Sequence, residues 1–111
     1  MKVERKQLAQ ARENSTNAVS VYSPGSLEEV DDIRIVLCNT SGAGATFRLF
    51  HDSDGTTYDE STALAWDENL GDGTPREINL GMKMNDSSGN IAYRSSVANA
   101  ITCTVYGKIY T

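Results

Sequence analysis

From residue 17 onward, apolar and polar residues alternate at every second position, and clusters of Gly, Asn, Asp and Ser separate the alternating runs. A period of two is typical of strands that bury one face. Runs joined by short turn clusters, without helical segments between them, favour antiparallel pairing over parallel strands joined by helices. The sequence therefore predicts an all-β fold, an antiparallel β-sandwich over residues 17–111.

Seven runs are predicted strands, at residues 18–22, 33–39, 46–51, 64–67, 77–80, 91–95 and 101–110, and 56–58 and 82–84 are candidates for short additional strands. Alternation within these runs assigns one set of side chains to the interior. This inward set contains Ile33, Ile35, Leu37, Phe47, Leu49, Ile101, Cys103, Val105 and Ile109. Trp66 stands among small residues, and we expect it to be a core or rim anchor.

Residues 1–16 differ from the rest of the chain in charge and in periodicity. They hold four cations and two carboxylates, a net charge of +2. Because the whole chain has a net charge of −5, residues 17–111 carry −7. Their only apolar periodicity is helical, and it is too thin to bury. We therefore expect a basic N-terminal arm that orders on an acidic partner, as helix or extended chain; a solvated terminal segment is the alternative. Its predicted partner-binding residues are Lys2, Arg5, Lys6, Leu8 and Arg12.

Several classes of function are disfavoured by what the sequence contains. The acidic domain lacks the clustered Lys and Arg that phosphate contacts require, which argues against a nucleic-acid partner. No apolar run approaches a membrane span, and the charged start is not followed by a signal segment, so we expect no membrane partner. Cys38 and Cys103 match no metal, redox or haem spacing. We predict two free thiols, with a disulfide as the alternative that a reducing cytoplasm disfavours.

Enzymatic and metal-dependent functions also find little support. The chain has one histidine, His51, which we place at the surface near a strand end, and no nucleophile motif. The segment 52–55 reads Asp-Ser-Asp-Gly and is followed by Asp59 and Glu60, so calcium is conceivable, but the same segment is an ordinary hairpin turn. We therefore predict a protein that is not an enzyme and has no cofactor and no metal site.

Aromatic side chains offer two kinds of contact. The candidates for stacking on a sugar are Tyr58, Trp66, Tyr93, Tyr106 and Tyr110. Tyr106 and Tyr110 lie on the wet face of the last predicted strand and are predicted self-association residues, since Tyr is enriched at subunit contacts.

Three segments carry a resemblance to a known group of proteins. They are IRIVLCNTSG at 33–42, ATFRL at 45–49 and VANAITCTVYG at 97–107. This pattern resembles small virion proteins of tailed phages, and length and arm together resemble the capsid staple proteins of epsilon-fifteen-like short-tailed phages. The resemblance covers about half of the predicted domain and does not extend to the arm.

The resemblance implies a jelly-roll body and a capsid decoration, or cement, role. It further implies a homodimer at capsid two-fold axes, contact with the major capsid protein, and a place on the outside of a virion assembled in the host cytoplasm. On this interpretation, deleting residues 1–16 leaves the body folded but abolishes capsid occupancy. The alternatives are a carbohydrate-binding or host-attachment module and a tail or neck connector.

Overall fold

The computed structural model describes residues 2–53, 57–81, 83–84 and 89–111. Strands within these ranges are β1 (Val3–Arg12), β2 (Val19–Tyr22), β3 (Glu29–Asn39), β4 (Ala45–Asp52), β5 (Ala63–Leu70), β6 (Pro75–Asn79), β7 (Asn90–Ser95) and β8 (Ile101–Tyr110). The seven predicted strands are confirmed as β2 to β8. Of the two short candidates, residues 56 and 82 lie outside the described ranges, while Met84 forms an isolated bridge with Val30. Among the described residues, no helix is long and apolar enough to cross a membrane.

The strands form two antiparallel sheets, ordered β1-β8-β3-β6 and β2-β7-β4-β5. Four of the hydrogen-bonded pairs are nested in sequence: β4 with β5, β3 with β6, β2 with β7 and β1 with β8. Such nesting describes one long antiparallel ribbon rolled up so that its pairs alternate between two sheets, which is the jelly-roll arrangement. The predicted fold class, an antiparallel jelly-roll-like sandwich, is confirmed.

The core lies between the two sheets and is built from the residues that alternation assigned to it. Every member of the predicted inward set is at most 5% exposed. Tyr93 of β7 is also fully buried, although it was a candidate for sugar stacking. Its hydroxyl accepts a hydrogen bond from the Glu13 amide at 2.9 Å and donates one to the Ile101 carbonyl at 2.9 Å. Tyr93 therefore connects the two sheets across the core.

The structure corrects the prediction for the start of the chain, because residues 3–12 form neither a helix nor a free arm. They are edge strand β1, which pairs with β8 from Val3 opposite Tyr110 to Arg12 opposite Thr102. The register shifts between Gln7 and Ala9. A bulge of this kind inserts one extra residue, so inward positions change from even to odd numbers along the strand. The apolar residues at positions 8, 9 and 11 therefore imitate a helical stripe in the sequence.

A second register shift lies in β3, between Asp31 and Arg34, and Asp32 there has a φ of 51°. This irregularity explains why the predicted strand began at residue 33, four residues after the observed start. Gly107 of β8 lies beside this shift and opposite Lys6. A Cβ atom on Gly107 would lie 2.8 Å from a methyl group of Leu8 and 3.1 Å from one of Val30. The core leaves no room for a side chain there.

The open ends of β1 and β8 are joined to each other. The Lys2 amide donates to the Thr111 carbonyl at 2.7 Å, and the Thr111 amide donates to the Lys2 carbonyl at 2.8 Å. The first and last described residues of the chain therefore lie side by side.

Both cysteines are free thiols, as predicted. Cys103 lies opposite Leu37 on the buried face of the sheet, whereas Cys38 lies opposite Thr102, one position further along. Because neighbouring residues on a strand point to opposite faces, the two thiols lie on opposite sides of the sheet. A disulfide within the chain would require the sheet to come apart.

We expect the two thiols to differ sharply in reactivity. Burial raises the pKa of Cys103 to about 12, so this thiol has almost no thiolate form at pH 8. Cys38 is partly exposed. Titration of the native protein with a disulfide reagent such as DTNB is expected to label one thiol per chain, and both after denaturation. The Cys38→Ser variant is the control and should show no labelling while native; two labelled thiols in the native protein would contradict the buried position of Cys103.

Candidate interaction surface

The outer face of the β1-β8-β3-β6 sheet carries rows of side chains contributed by neighbouring strands. Tyr106 of β8 lies between Gln7 of β1 and Arg34 of β3, because both are its register partners. In the adjacent row, Arg5 of β1 lies opposite Lys108 of β8. Side chains directly opposite one another share a face of the sheet. The register therefore gathers cations from three strands around one tyrosine.

These rows border a groove of about 550 Å³ that is open to solvent. Tyr106 is 40% exposed within it. Six charged residues line the groove: Arg5, Lys6, Arg34, Lys108, Asp32 and Glu77. Four cations against two carboxylates give the groove a net charge of +2, although the whole chain carries −5. We call this feature the basic groove.

The ion pairs within the basic groove are long and solvated. Arg5 Nη1 lies 3.5 Å from Asp32 Oδ2, and Arg34 Nη1 lies 3.8 Å from Glu77 Oε1, with all four side chains about half exposed or more. Exposed pairs of this kind contribute ~0–1 kcal/mol. Lys108 lies opposite Asp31 of β3 in the register, and its Nζ lies 5.4 Å from the Tyr110 ring centroid, a cation–π contact. The cations can therefore accept new anionic partners at little energetic cost.

The predicted binding residues of β1 do not form one site. Arg5 and Lys6 line the basic groove. Leu8 packs against the core and is not part of an open surface. Lys2 and Arg12 lie at opposite ends of β1, where Lys2 pairs with a neighbouring glutamate at 2.9 Å and Arg12 donates to a backbone carbonyl at 3.0 Å. Sequence reasoning missed Arg34 and Lys108 as groove residues. The sequence showed only that both alternate with inward residues and therefore point outward from β3 and β8.

The two predicted self-association residues have different surroundings. The Tyr110 hydroxyl donates to Asp31 Oδ2 at 3.1 Å at the end of the sheet, whereas Tyr106 lies in the middle of the basic groove. A two-fold contact is self-complementary, so each patch meets its own copy. Centred on Tyr106, it would bring together two copies of a patch that each carry a net charge of +2, and like net charges oppose association. A symmetric contact is therefore disfavoured at this face.

The outer face of the second sheet carries an aromatic cluster. The ring centroid of Phe50 lies 6.0 Å from that of Tyr58 and 6.3 Å from that of Trp66. The Arg48 guanidinium lies 3.7 Å from the Trp66 ring centroid, and its Nε donates to Asp67 Oδ1 at 2.6 Å. This hydrogen bond lowers the pKa of Asp67. Trp66 is 40% exposed, which confirms a rim anchor, but Arg48 covers a ring face that a sugar would need.

The turn considered for calcium is only partly described. Residues 54 and 55 lie outside the described ranges, and Asp52 Oδ2 accepts a hydrogen bond from the Thr57 amide at 2.6 Å. Among the residues that the structure does describe, no three His, Cys, Asp or Glu side chains are grouped to hold a metal ion. The hydrogen bond from the Thr57 amide fits the turn interpretation.

Comparison with known proteins gives structural but not sequence relatives. No protein-family model matches the sequence, and no curated protein matches it significantly. A chain from Bacillus endospore appendages, which form disulfide-linked pili, has a TM-score of 0.58 and 12% identity over 98% of this chain and 88% of its own. Tobacco streak virus coat protein has a TM-score of 0.54 and 10% identity over 99% of this chain and 85% of its own.

A chain of the T13 IBDV viral particle has a TM-score of 0.53 and 13% identity, and the match covers 97% of this chain but 30% of that chain. At these identities the likeness is one of fold. Two of these three similar structures come from viral particles or coats, and one from a pilus. The same sandwich therefore occurs in subunits of large protein assemblies.

Proposed function

We propose that this chain is a structural virion protein, a decoration or staple subunit that binds the outside of a phage capsid and reinforces contacts between major capsid protein subunits. The observation that carries the proposal is the basic groove, an open and cationic surface on an otherwise acidic jelly roll. Charged and aromatic side chains of this kind recognise other proteins. The fold shared with viral coat and particle chains supports the same proposal.

The groove is better suited to recognition than to catalysis. Its lining contributes Arg, Lys, Asp, Glu and Tyr side chains. The buried Cys103 thiol lies on the other side of the sheet, and its pKa of about 12 keeps it protonated. A nucleophile needs a thiolate or an adjacent base. We therefore propose a binding role and no enzymatic one.

In this proposal the basic N-terminal segment acts from within the sheet, as β1 (Val3–Arg12). β1 supplies Arg5 and Lys6 to the groove, and its pairing with β8 fixes their positions relative to Arg34 and Lys108. A rigid surface loses little conformational freedom on binding, whereas a disordered strap has to be ordered first. The subunit we propose is thus a preformed wedge.

A homodimer at capsid two-fold axes remains part of the proposal, with its contact away from Tyr106 for the electrostatic reason given above. Each copy needs only a modest interface with the shell. Many copies on a closed shell act together, and a subunit held at several points dissociates slowly. Each copy therefore adds little to the stability of the shell, whereas the full set of copies adds much.

Quantitative mass spectrometry of purified particles tests this function. We expect the chain at a copy number comparable with the number of capsid two-fold axes, calibrated against the major capsid protein in the same sample. Portal and tail proteins, whose copy numbers are small, provide the internal control. A copy number that matches a single tail or neck ring, or absence from the particle, would contradict the decoration role.

A further inference from the structure

We infer that the basic groove binds an extended, acidic segment of the major capsid protein, with Tyr106 as the central contact. The inference deepens the proposed function, on which the identity of the partner rests. The chemistry of the segment rests on the groove alone and can be tested without a capsid.

The spacing of the groove side chains matches an extended peptide. Tyr106 and Lys108 are two residues apart on β8 and point outward, so they lie ~6.6 Å apart along the strand. Side chains on one face of an extended peptide repeat at the same distance, because successive residues alternate sides. Carboxylates at every second position of a bound segment would therefore meet successive rows of the sheet, with Lys108 and Arg5 in one row and Arg34 in the next.

The charge of the groove favours carboxylates over a continuous polyanion. Asp32 and Glu77 lie among the four cations and would repel evenly spaced phosphates. A peptide can place its acidic residues against Arg5, Arg34 and Lys108 and its neutral residues elsewhere. Because Asp32 and Glu77 hold their arginines only through long, solvated contacts, an incoming carboxylate can share the same guanidinium groups.

Tyr106 supplies the contact that is not electrostatic. It is 40% exposed, it lies between Gln7 and Arg34, and its ring forms part of the groove wall. Tyr and Arg are the residue types that most often dominate binding energy at interfaces, where an aromatic ring excludes water from neighbouring charges. This assignment replaces the predicted role of Tyr106 in self-association.

The experiment uses the full chain and a synthetic peptide of alternating glutamate and threonine, with the glutamine–threonine peptide as the uncharged probe. We expect calorimetry to show binding of the acidic peptide that weakens as salt is added, and no binding of the uncharged one. Lys108→Glu should weaken binding at least about tenfold. The matched control is Lys83→Glu, which reverses a 58% exposed charge outside the groove lining and should change affinity less than about twofold. Thermal unfolding establishes that both variants are folded.

A third variant separates the two roles of Tyr106. Tyr106→Ser should lose acidic-peptide binding while the mass measured by light scattering stays that of the unmodified chain. Equal binding of both peptides, unchanged binding by Lys108→Glu, or tighter binding of oligothymidylate than of the acidic peptide would each overturn the inference. If the chain binds the acidic peptide but is absent from particles, only the decoration role is contradicted. If Lys108→Glu occupies the capsid normally, only the role of the groove in capsid binding is contradicted.

Discussion

A chain that lacks residues 1–12 is expected to lose its cooperative unfolding transition. The deletion removes β1, whose nine register pairs with β8 run from Val3 to Arg12. It also removes Leu8 and Ala11 from the edge of the core. Burial of one leucine side chain contributes ~1.5–3 kcal/mol, and each lost hydrogen bond costs about 1 kcal/mol. Together these losses reach the ~5–15 kcal/mol that stabilise an ordinary small domain.

Thermal melts followed by circular dichroism, together with an amide NMR spectrum, measure this effect. The control lacks only residues 1–2 and keeps all of β1, so it should keep a cooperative transition, lowered only by the loss of the two hydrogen bonds between Lys2 and Thr111. A sharp transition and a dispersed spectrum in the longer deletion would show that β1 is dispensable and would restore the interpretation of residues 1–16 as an arm. If the shortened chain is folded, a loss of capsid occupancy can be attributed to the deleted residues. If it is unfolded, the loss of occupancy reports only the loss of the fold.

Replacing Gly107 by valine is expected to lower the free energy of unfolding by about 3 kcal/mol, at the upper end of the usual range for overpacking. The new Cβ would lie 2.8 Å from Leu8 Cδ1 and 3.1 Å from Val30 Cγ1. Leu8 lies on an edge strand and can move, but Val30 is fully buried and cannot. The added γ-methyl groups would increase the conflict, and this outweighs the preference of valine for strands.

Urea or guanidinium unfolding at equilibrium gives the free energy for comparison. Gly44→Val is the matched control, because a Cβ on Gly44 would meet nothing within 4 Å. We expect this control to stay within about 0.5 kcal/mol of the unmodified chain. If the two substitutions had equal effects, crowding between β1, β3 and β8 would not be the reason for glycine at position 107.

The fold was largely predictable from the sequence wherever alternation was unbroken. β8 was predicted with its observed bounds, and its four inward residues are buried. The errors occur at bulges. The extra residue at Leu8 changes the phase of β1, and the irregularity at Asp32 hides the first four residues of β3. A method that looks for a constant period of two fails where the phase changes, so the segment that forms β1 was predicted to be an arm that orders, as helix or extended chain, on a partner.

The basic groove was predictable only in part. Its cations lie on β1, β3 and β8, up to 103 positions apart in sequence between Arg5 and Lys108. The sequence showed that residues 1–16 are basic, but not that β1 would lie beside β8. Pairing between distant strands is decided by how the whole ribbon rolls, and no local pattern carries it. The outward phase of Arg34 and Lys108 became informative only after the register was known.

The pair of hydrogen bonds between Lys2 and Thr111 has a consequence for anything attached to the chain. Polypeptide entering before Lys2 and polypeptide leaving after Thr111 pass through the same corner of the molecule. A fluorescent domain or an antigen would thus be displayed at the same location whichever terminus carries it. A short linker between these two residues would close the backbone into a ring, which could then be reopened at a distant turn.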